Sequence, residues 1–404
     1  MRKNSDRRLK MFEEPEASLT ITKTLGTKIT TKEYGELIDF QSGCWAAIIG
    51  HNRREITDAI KENVDILMHT HQFFDTGHPT ALIKKLEEAA NLKSSYKGAF
   101  LSSGSEAVSL AVKLSEIITG RRMKLSLSIS YHGATADLRL PRDQQLWTDL
   151  DVAQCLSCSK NIDCRECGNF SYIDFTHFAS FVFEAGNSGG LVLCPPQKLI
   201  AYLAEEVRAA GGYVVANEVT TGFGRTGKWF GFQHYDYFNN SNTSPDFIAL
   251  GKGLGNGYPI SGLLVISGLA SILEETGFRY VQSHIDDPLG CIIARSVIEI
   301  IKKEGLIDIG NETGNYLRGK LMEVYELVGG IKEIRGRGMM NIVVLEDNCS
   351  AKEVFKHLLE YGVFTGYSEA YNYIHLYPPL TLKTNEVDHL AESLQIILSE
   401  RIVR

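Results

Sequence analysis

The chain has 404 residues, of which 44% are hydrophobic and 23% charged, and its formal net charge is -7. This length and apolar content predict a large core and two domains. The acidic balance argues against nucleic-acid binding, and no apolar run is long enough to span a membrane. Residues 1–10 are basic but lack the apolar stretch of a secretory signal, so we expect a cytoplasmic protein.

Serine and glycine mark the start of a predicted helix that follows a sheet strand. The strand, residues 99–101, leads into Ser-Ser-Gly-Ser-Glu-Ala at 102–107, after which apolar residues recur at helical spacing. The unpaired N–H groups and the positive dipole end of such a helix can bind a phosphate. An ordinary N-cap at Ser103 or Ser105 is the alternative interpretation.

Further along the chain, short apolar runs predict buried strands of a mostly parallel sheet, and each strand ends at a polar or aromatic residue. Residues 125–129 precede Tyr131 and His132, residues 181–183 precede Glu184, residues 213–216 precede Asn217, and residues 247–250 precede Lys252. Open α/β sheets bind their ligands outside the carboxyl ends of the strands. We therefore expect a binding site at this edge, where Asn217 and Val219 share one side of the chain and Glu218 points to the other.

Four cysteines form two Cys-x-x-Cys pairs between the first and second of these strands. Cys155, Cys158, Cys164 and Cys167 have the ligand types and the pairing of a tetrahedral zinc site, although the loop between the pairs is short. Redox-labile thiols without metal, an iron–sulfur site and two disulfides are the alternatives. The other four cysteines stand alone and are expected to be free thiols.

Lys252 leaves its strand between two glycines, where the backbone can approach a ligand closely. Apolar neighbours should lower the pKa of its amine. An amine of lowered pKa is suited to attack an aldehyde and form a Schiff base. The alternative is a lysine that only extends out of the sheet towards solvent.

Two long motifs surround these last two strand ends. They read Asn-Glu-Val-Thr-Thr-Gly-Phe-Gly-Arg-Thr-Gly at 217–227 and Gly-Lys-Gly-Leu-Gly-Asn-Gly-Tyr-Pro at 251–259. Together they resemble the class III aminotransferases, which are pyridoxal-phosphate (PLP) enzymes of fold type I. The resemblance extends over roughly residues 35–400, but the cysteine segment is not part of the family pattern.

The resemblance implies an α/β fold with a mostly parallel sheet. It divides the chain into a large PLP-binding domain at 61–302 and a smaller α+β domain formed by 1–60 and 303–404. It also implies a homodimer with shared active sites, in keeping with the general prevalence of two-fold oligomers.

By the same resemblance, Lys252 forms the Schiff base with PLP and then moves the substrate proton. The other residues implied to bind the cofactor are Ser103, Gly104, Ser105 and the partner subunit's Ser283 for the phosphate, Tyr131 and Val219 for the two ring faces, Asn217 for the pyridine nitrogen, Thr220 for the 3′ oxygen, and His132 and Glu184 nearby.

Two positions depart from the family pattern. Asn217 replaces an aspartate that keeps the pyridine nitrogen protonated, so a carbanion at the substrate Cα should be less stabilised. His375 stands three residues before Pro-Pro-Leu at 378–380, where several branches carry an arginine that binds the substrate carboxylate. A purely structural histidine is the alternative.

The loop 186–190 also lacks the second glutamate that the ornithine and 4-aminobutyrate branches carry. We therefore do not expect specificity for ornithine or for 4-aminobutyrate.

The function predicted from the sequence is amino transfer between an amine or amino acid donor and a keto acid or aldehyde acceptor. An epimerase or racemase of the same family is the first alternative, because it returns the proton to the same carbon. A PLP-binding partner protein with little turnover is the second, because Asn217, His375 and the cysteine cluster all depart from the family pattern.

Overall fold

The computed structural model describes residues 19–399 except 129, 159–161, 187–188 and 241. The helices are α1 Ser42–Trp45, α2 Arg54–Val64, α3 His78–Ala90, α4 Gly104–Thr119, α5 Ala153–Leu156, α6 Cys164–Cys167, α7 Gln197–Ala209, α8 Ser267–Glu275, α9 Pro288–Glu304, α10 Leu306–Val328, α11 Ala351–Glu360 and α12 Thr384–Ser399. The strands are β1 Ile21–Leu25, β2 Lys28–Thr31, β3 Gly35–Asp39, β4 Tyr96–Leu101, β5 Met123–Leu127, β6 Trp147–Leu150, β7 Phe178–Phe183, β8 Tyr213–Asn217, β9 Phe247–Leu250, β10 Ser261–Ile266, β11 Ile331–Arg337, β12 Met340–Leu345, β13 Val363–Phe364, β14 Gly366–Ser368 and β15 Tyr373–Leu376.

A seven-stranded sheet in the order β4-β10-β9-β8-β7-β5-β6 forms the centre of the molecule. Only β10 runs antiparallel to its neighbours, and the pairs from β9 to β6 are parallel. The predicted α/β class with a mostly parallel sheet is therefore confirmed. The apolar runs are continuous because helices cover both faces of the sheet, so that every residue of β7 and β9 is buried.

Alternation along the strands assigns side chains to the two faces. Val215 of β8 packs in one core cluster with Ala111 of α4, whereas Val214 packs in the other with Leu203 of α7. Asn217 has the same parity as Val215 and therefore lies on the α4 face. The strand end thus presents its amide towards the helix whose N-terminus was predicted to bind phosphate.

Two smaller sheets flank the central one. The first has the order β1-β2-β3-β13, in which Ile38 pairs in parallel with Val363, so both ends of the described chain contribute to one sheet. The second has the order β11-β12-β15-β14 and carries His375 in β15. The division into domains at residues 60 and 302 remains a prediction.

Arg225, in the glycine-rich turn after β8, connects three distant parts of the chain. Its side chain is fully buried and donates from Nη1 to the carbonyl oxygens of Met339, at 3.1 Å, and Pro378. Nη2 donates to Ser42 Oγ at 3.1 Å. These bonds hold the start and the C-terminal part of the chain against the edge where the strands end.

Among the described residues, no helix is both long and apolar enough to cross a bilayer.

Candidate active site

Lys252 follows β9 directly and lies in a left-handed backbone conformation with φ of 40°. This conformation is uncommon for a residue with a side chain and is often found at functional sites. Its Nζ donates to Thr220 Oγ1 at 2.7 Å and lies 4.2 Å from the centre of the Trp45 ring. Burial, helped by the positive charge of Arg225, lowers the pKa of the Lys252 amine to about 8. About a tenth of the amine is therefore uncharged at pH 7, and the direction of the shift is the one that the sequence predicted.

The N-terminus of α4 lies against the strand ends that carry Asn217 and Lys252. A Cβ atom on Gly104 would lie 2.5 Å from Cγ1 of Val219, and one on Gly251 would lie 3.2 Å from the same atom. Ser103 caps the helix by accepting from the amide of Glu106, and its hydroxyl can still donate to an anion at the same helix start. The amides of Gly104 and Ser105 precede the first intrahelical bond and are the ones that such a helix start offers to an anion.

Asn217 is buried and is hydrogen-bonded at both ends of its amide. Nδ2 donates to the carbonyl oxygen of Tyr131 at 3.1 Å and lies 3.3 Å from Nδ1 of His132, while Oδ1 accepts from the amide of Val219 at 3.2 Å. Glu218 points away, as predicted, and accepts from the backbone amides around Gly231. The uncharged amide nitrogen of Asn217 thus lies between the Tyr131 carbonyl oxygen and His132 Nδ1.

Tyr131 and His132 are held by separate anchors. Glu184 Oε2 accepts from the Tyr131 amide at 2.7 Å, and the Tyr131 ring is 38% exposed, which leaves it accessible to a ligand. His132 is buried, stacks on Trp147 at 5.7 Å, and lies 2.7 Å from Ser126 Oγ through Nε2. Burial and the charge of Arg142 keep the pKa of His132 well below its usual value, so its ring is neutral.

Sequence patterns did not reveal a group of residues that surrounds His375. Gln41 Nε2 donates to the carbonyl oxygen of His375 at 2.5 Å, and Gln41 Oε1 accepts from Trp45 Nε1 at 3.0 Å. The His375 ring lies 4.9 Å from that of Trp45 and 4.0 Å from that of Tyr377. Together with Lys252 beside Trp45, these side chains form a buried, mostly aromatic wall. His375 is 334 positions from Gln41, so no local pattern could have found the contact.

Ser283 is exposed and lies in the segment that leads into α9. The neighbouring side chains of His284 and Asp287 form, with His69, the group of three potential metal ligands that lie within 4.8 Å of one another in the described part of the chain. A single chain does not test the predicted contact of Ser283 with a partner's cofactor.

The four paired cysteines lie around one cavity of about 560 Å³ between α5, α6 and the start of α7. None of the four is in a disulfide, and burial raises the pKa of Cys155 and Cys164. Within the described residues, no three of the four sulfur atoms approach within 4.8 Å of one another. The structure therefore gathers the predicted ligands at one place without bringing them to coordination distances.

A sheet that ends in a half-buried lysine of lowered pKa, beside a glycine-bearing helix start, is the arrangement expected of a PLP-dependent enzyme of fold type I. The model of the family described as aminotransferase class-III matches residues 11–139 and 159–398. The chain therefore belongs to the class-III aminotransferase family, and it is a PLP-dependent aminotransferase. The unmatched residues 140–158 include the first cysteine pair, consistent with an insertion.

Similar proteins include both transferases and racemases. The chain is 28% identical over 95% of its length to a leucine/methionine racemase of Thermococcus litoralis, 91% of which is covered. It is 27% identical over 88% of its length to an acetylornithine aminotransferase of Archaeoglobus fulgidus, 89% of which is covered. Among solved structures, the taurine:2-oxoglutarate aminotransferase of Bifidobacterium kashiwanohense superposes with a TM-score of 0.85 at 19% identity, covering 96% of this chain and 95% of that one, which supports the fold.

Proposed function

We propose that this aminotransferase moves an amino group from an amine or amino acid to a keto acid or aldehyde, and that Lys252 Nζ both holds PLP and carries the substrate proton. The observation that supports this role most directly is the lowered pKa, about 8, of an amine held 2.7 Å from Thr220 Oγ1. Such an amine exchanges protons readily near neutral pH.

The remaining site residues fit PLP, apart from the substitution at the pyridine position. The amides of Gly104 and Ser105, the side chain of Ser103 and a partner subunit's Ser283 would bind the phosphate. Tyr131 and Val219 would contact the ring faces, and Thr220 its 3′ oxygen. Glu184 and His132 would position Tyr131 and Asn217, to which they are already close. PLP supplies the electron withdrawal that makes the substrate Cα acidic.

The test is the visible spectrum of the PLP-loaded protein during single turnovers. A suitable amine should convert the PLP absorbance to that of the aminated cofactor, and a keto acid should reverse the change. Lys252→Ala should lower the rate by roughly 10²–10⁴-fold, the range of a positioned proton carrier, whereas Lys303→Ala, on the far end of α9, should leave it unchanged. A Lys252→Ala protein of wild-type rate would contradict the proposal.

Racemisation is the second candidate, because of Asn217. Its amide carries no charge and already donates to Tyr131, so it cannot hold a proton on a pyridine nitrogen as a carboxylate does. Return of the proton to Cα from Lys252 would then be favoured over amino transfer. Two relatives at 28% identity are a leucine/methionine racemase and an alanine/serine racemase, which supports keeping this candidate.

We further propose that two copies of the chain associate through the segments around residues 66–74 and 280–283. Gln72 Nε2 donates to the carbonyl oxygen of Gln282 at 2.8 Å, so the two segments are adjacent. They expose large apolar side chains, namely Ile66 at 78%, Phe73 at 91% and Val281 at 77%. Such a surface is usually covered by another protein. Phe73→Ser should shift the mass measured by light scattering from dimer to monomer.

Zinc at the four paired cysteines and a cytoplasmic location are the remaining parts of the proposal. Four thiols around one cavity are the donor set that zinc prefers, and binding would draw each sulfur to roughly 2.3 Å from the ion. All eight cysteines of the chain lie in the described residues and none is in a disulfide, which is typical of a reducing compartment.

A further inference from the structure

Two buried polar atoms in the aromatic wall beside Lys252 have no hydrogen-bond partner among the described residues. They are Nε2 of His375 and the hydroxyl oxygen of Tyr377, whose residues are 4% and 0% exposed. Their ring centres are 4.0 Å apart. Buried polar atoms in folded proteins are nearly always bonded, so this pair indicates a ligand that completes the wall.

The contacts of Gln41 determine which His375 nitrogen carries the proton. Trp45 Nε1 can only donate, and it donates to Gln41 Oε1; the His375 carbonyl can only accept, and it accepts from Gln41 Nε2. The amide orientation of Gln41 is thereby fixed. His375 Nδ1, 3.2 Å from Gln41 Oε1, must then be the donor. In a neutral imidazole this leaves Nε2 as an acceptor.

The surrounding charges keep that imidazole neutral. Burial, together with the cations of Lys252 and Arg225, lowers the pKa of His375 to about 3. Both Nη atoms of Arg225 already donate to Met339, Pro378 and Ser42, whereas its buried Nε has no partner among the described residues. His375 therefore cannot donate to a carboxylate from Nε2, and a carboxylate oxygen would face a lone pair. A second ammonium group would be repelled by the same two cations. A neutral hydrogen-bond donor can bond to the Nε2 lone pair and is not repelled by the two cations.

We propose that His375 Nε2 accepts a hydrogen bond from a neutral substrate group, so that this site takes amines bearing a hydroxyl or a carboxamide where other amino donors carry a carboxylate. The unpartnered hydroxyl of Tyr377, whose ring centre lies 4.0 Å from that of His375, can accept from or donate to the same group. The inference rests on the proposed amino transfer at Lys252 and specifies which amino donors bind at this site.

Three donors with one carbon skeleton test it: L-alaninol, L-alaninamide and L-alanine. Dissociation constants of each with the PLP-loaded protein are measured from the change in visible absorbance and, independently, by calorimetry. The alcohol or the amide should bind at least about tenfold more tightly than the amino acid, because a site that hydrogen-bonds a substrate group discriminates strongly against its loss. If only L-alaninol or only L-alaninamide binds more tightly than L-alanine, the result identifies whether His375 Nε2 accepts from a hydroxyl or from a carboxamide.

Two variants separate recognition from folding. His375→Gln can still present an acceptor oxygen and should keep the preference, whereas His375→Leu should abolish it. Retained PLP binding and unchanged thermal unfolding show that each variant is intact. Tighter binding of L-alanine than of both neutral donors by the wild type, or an unchanged preference in an intact His375→Leu protein, would overturn the inference. If no amine alters the PLP absorbance while calorimetry still detects the neutral donors, the proposed amino transfer fails instead.

Discussion

A Cβ atom on Gly104 would lie only 2.5 Å from Cγ1 of Val219. This contact joins the first residue of α4 to the side chain that follows the end of β8, and it places the helix N-terminus beside Lys252, since Gly251 meets the same valine. Gly104 therefore cannot gain a side chain unless Val219 moves. The helix start that is proposed to bind phosphate and the strand ends are held together by this close packing contact.

Gly104→Ala should weaken PLP binding by separating the helix start from Val219. We expect roughly a tenfold or greater loss of affinity, equivalent to about 1.4 kcal/mol, and partial rescue by the double variant Gly104→Ala/Val219→Ala. Gly319→Ala is the matched control, because nothing lies within 4 Å of a Cβ at that helical position. Fluorescence titration with PLP gives the affinities. Equal PLP affinity of Gly104→Ala and wild type would show that Val219 moves aside without displacing the helix start.

Asn217→Asp should increase amino transfer relative to racemisation. The new carboxylate could hold a proton on a pyridine nitrogen, which would favour delivery of the substrate proton from Lys252 to C4′ of the cofactor over its return to Cα. In the wild type the Tyr131 carbonyl oxygen accepts from the Asn217 amide. The carboxylate of the variant cannot donate to this oxygen, so we expect a lower free energy of unfolding. Keto acid formation and loss of optical activity are measured on the same amino acid. We expect the ratio of the two to rise at least tenfold.

If the ratio falls or stays constant in Asn217→Asp while PLP remains bound, the charge at this position does not direct the reaction. Asn217→Ser is the matched control, since it removes the amide without adding charge.

One zinc ion per chain should copurify with the wild-type protein. Cys158→Ser removes one of the four thiols around the cavity and should lower the zinc content, measured by plasma mass spectrometry, to well under half. Cys349→Ser changes a thiol outside the cavity and should retain the metal. PLP binding should survive in both, because the cavity is lined by residues other than those proposed for PLP. A metal-free wild type purified without chelator would favour the free-thiol interpretation.

Protonation of buried His234 should destabilise the fold in mild acid. Burial, together with Arg337 and Lys228, lowers its pKa from 6.5 to about 4. The unfolded chain therefore binds a proton that the folded chain does not, so the stabilisation is complete above pH 6.5 and is lost as the pH falls towards about 4. The loss of unfolding free energy by pH 4 is on the order of 2–3 kcal/mol once the partial exposure of the ring to solvent is discounted.

His234→Gln can still donate to the Thr226 carbonyl oxygen, which lies 3.0 Å from His234 Nε2, and it should flatten this dependence. Urea unfolding at pH 7.5 and pH 5 compares the variant with wild type. Parallel losses of stability in the two proteins would assign the acid sensitivity to other groups.

The sequence by itself determined the central sheet and its functional edge. Continuous apolar runs predicted β7, β8 and β9 because strands buried on both faces need no polar alternation. The residue that follows each run then had to lie at the same edge, which brought Glu184, Asn217 and Lys252 to one site. Two long motifs added the family, which the comparison with known proteins confirmed.

Only the tertiary structure decided what faces the lysine. Gln41, Trp45, His375 and Tyr377 meet because β3 and β15 end beside the same strand edge, and Arg225 holds both segments there. Such contacts join residues more than 300 positions apart, and no periodicity encodes them. The tautomer of His375 depends in turn on the orientation of one glutamine amide, which is fixed by its three-dimensional partners. Local patterns specify elements, whereas the chemistry of this pocket is a property of their packing.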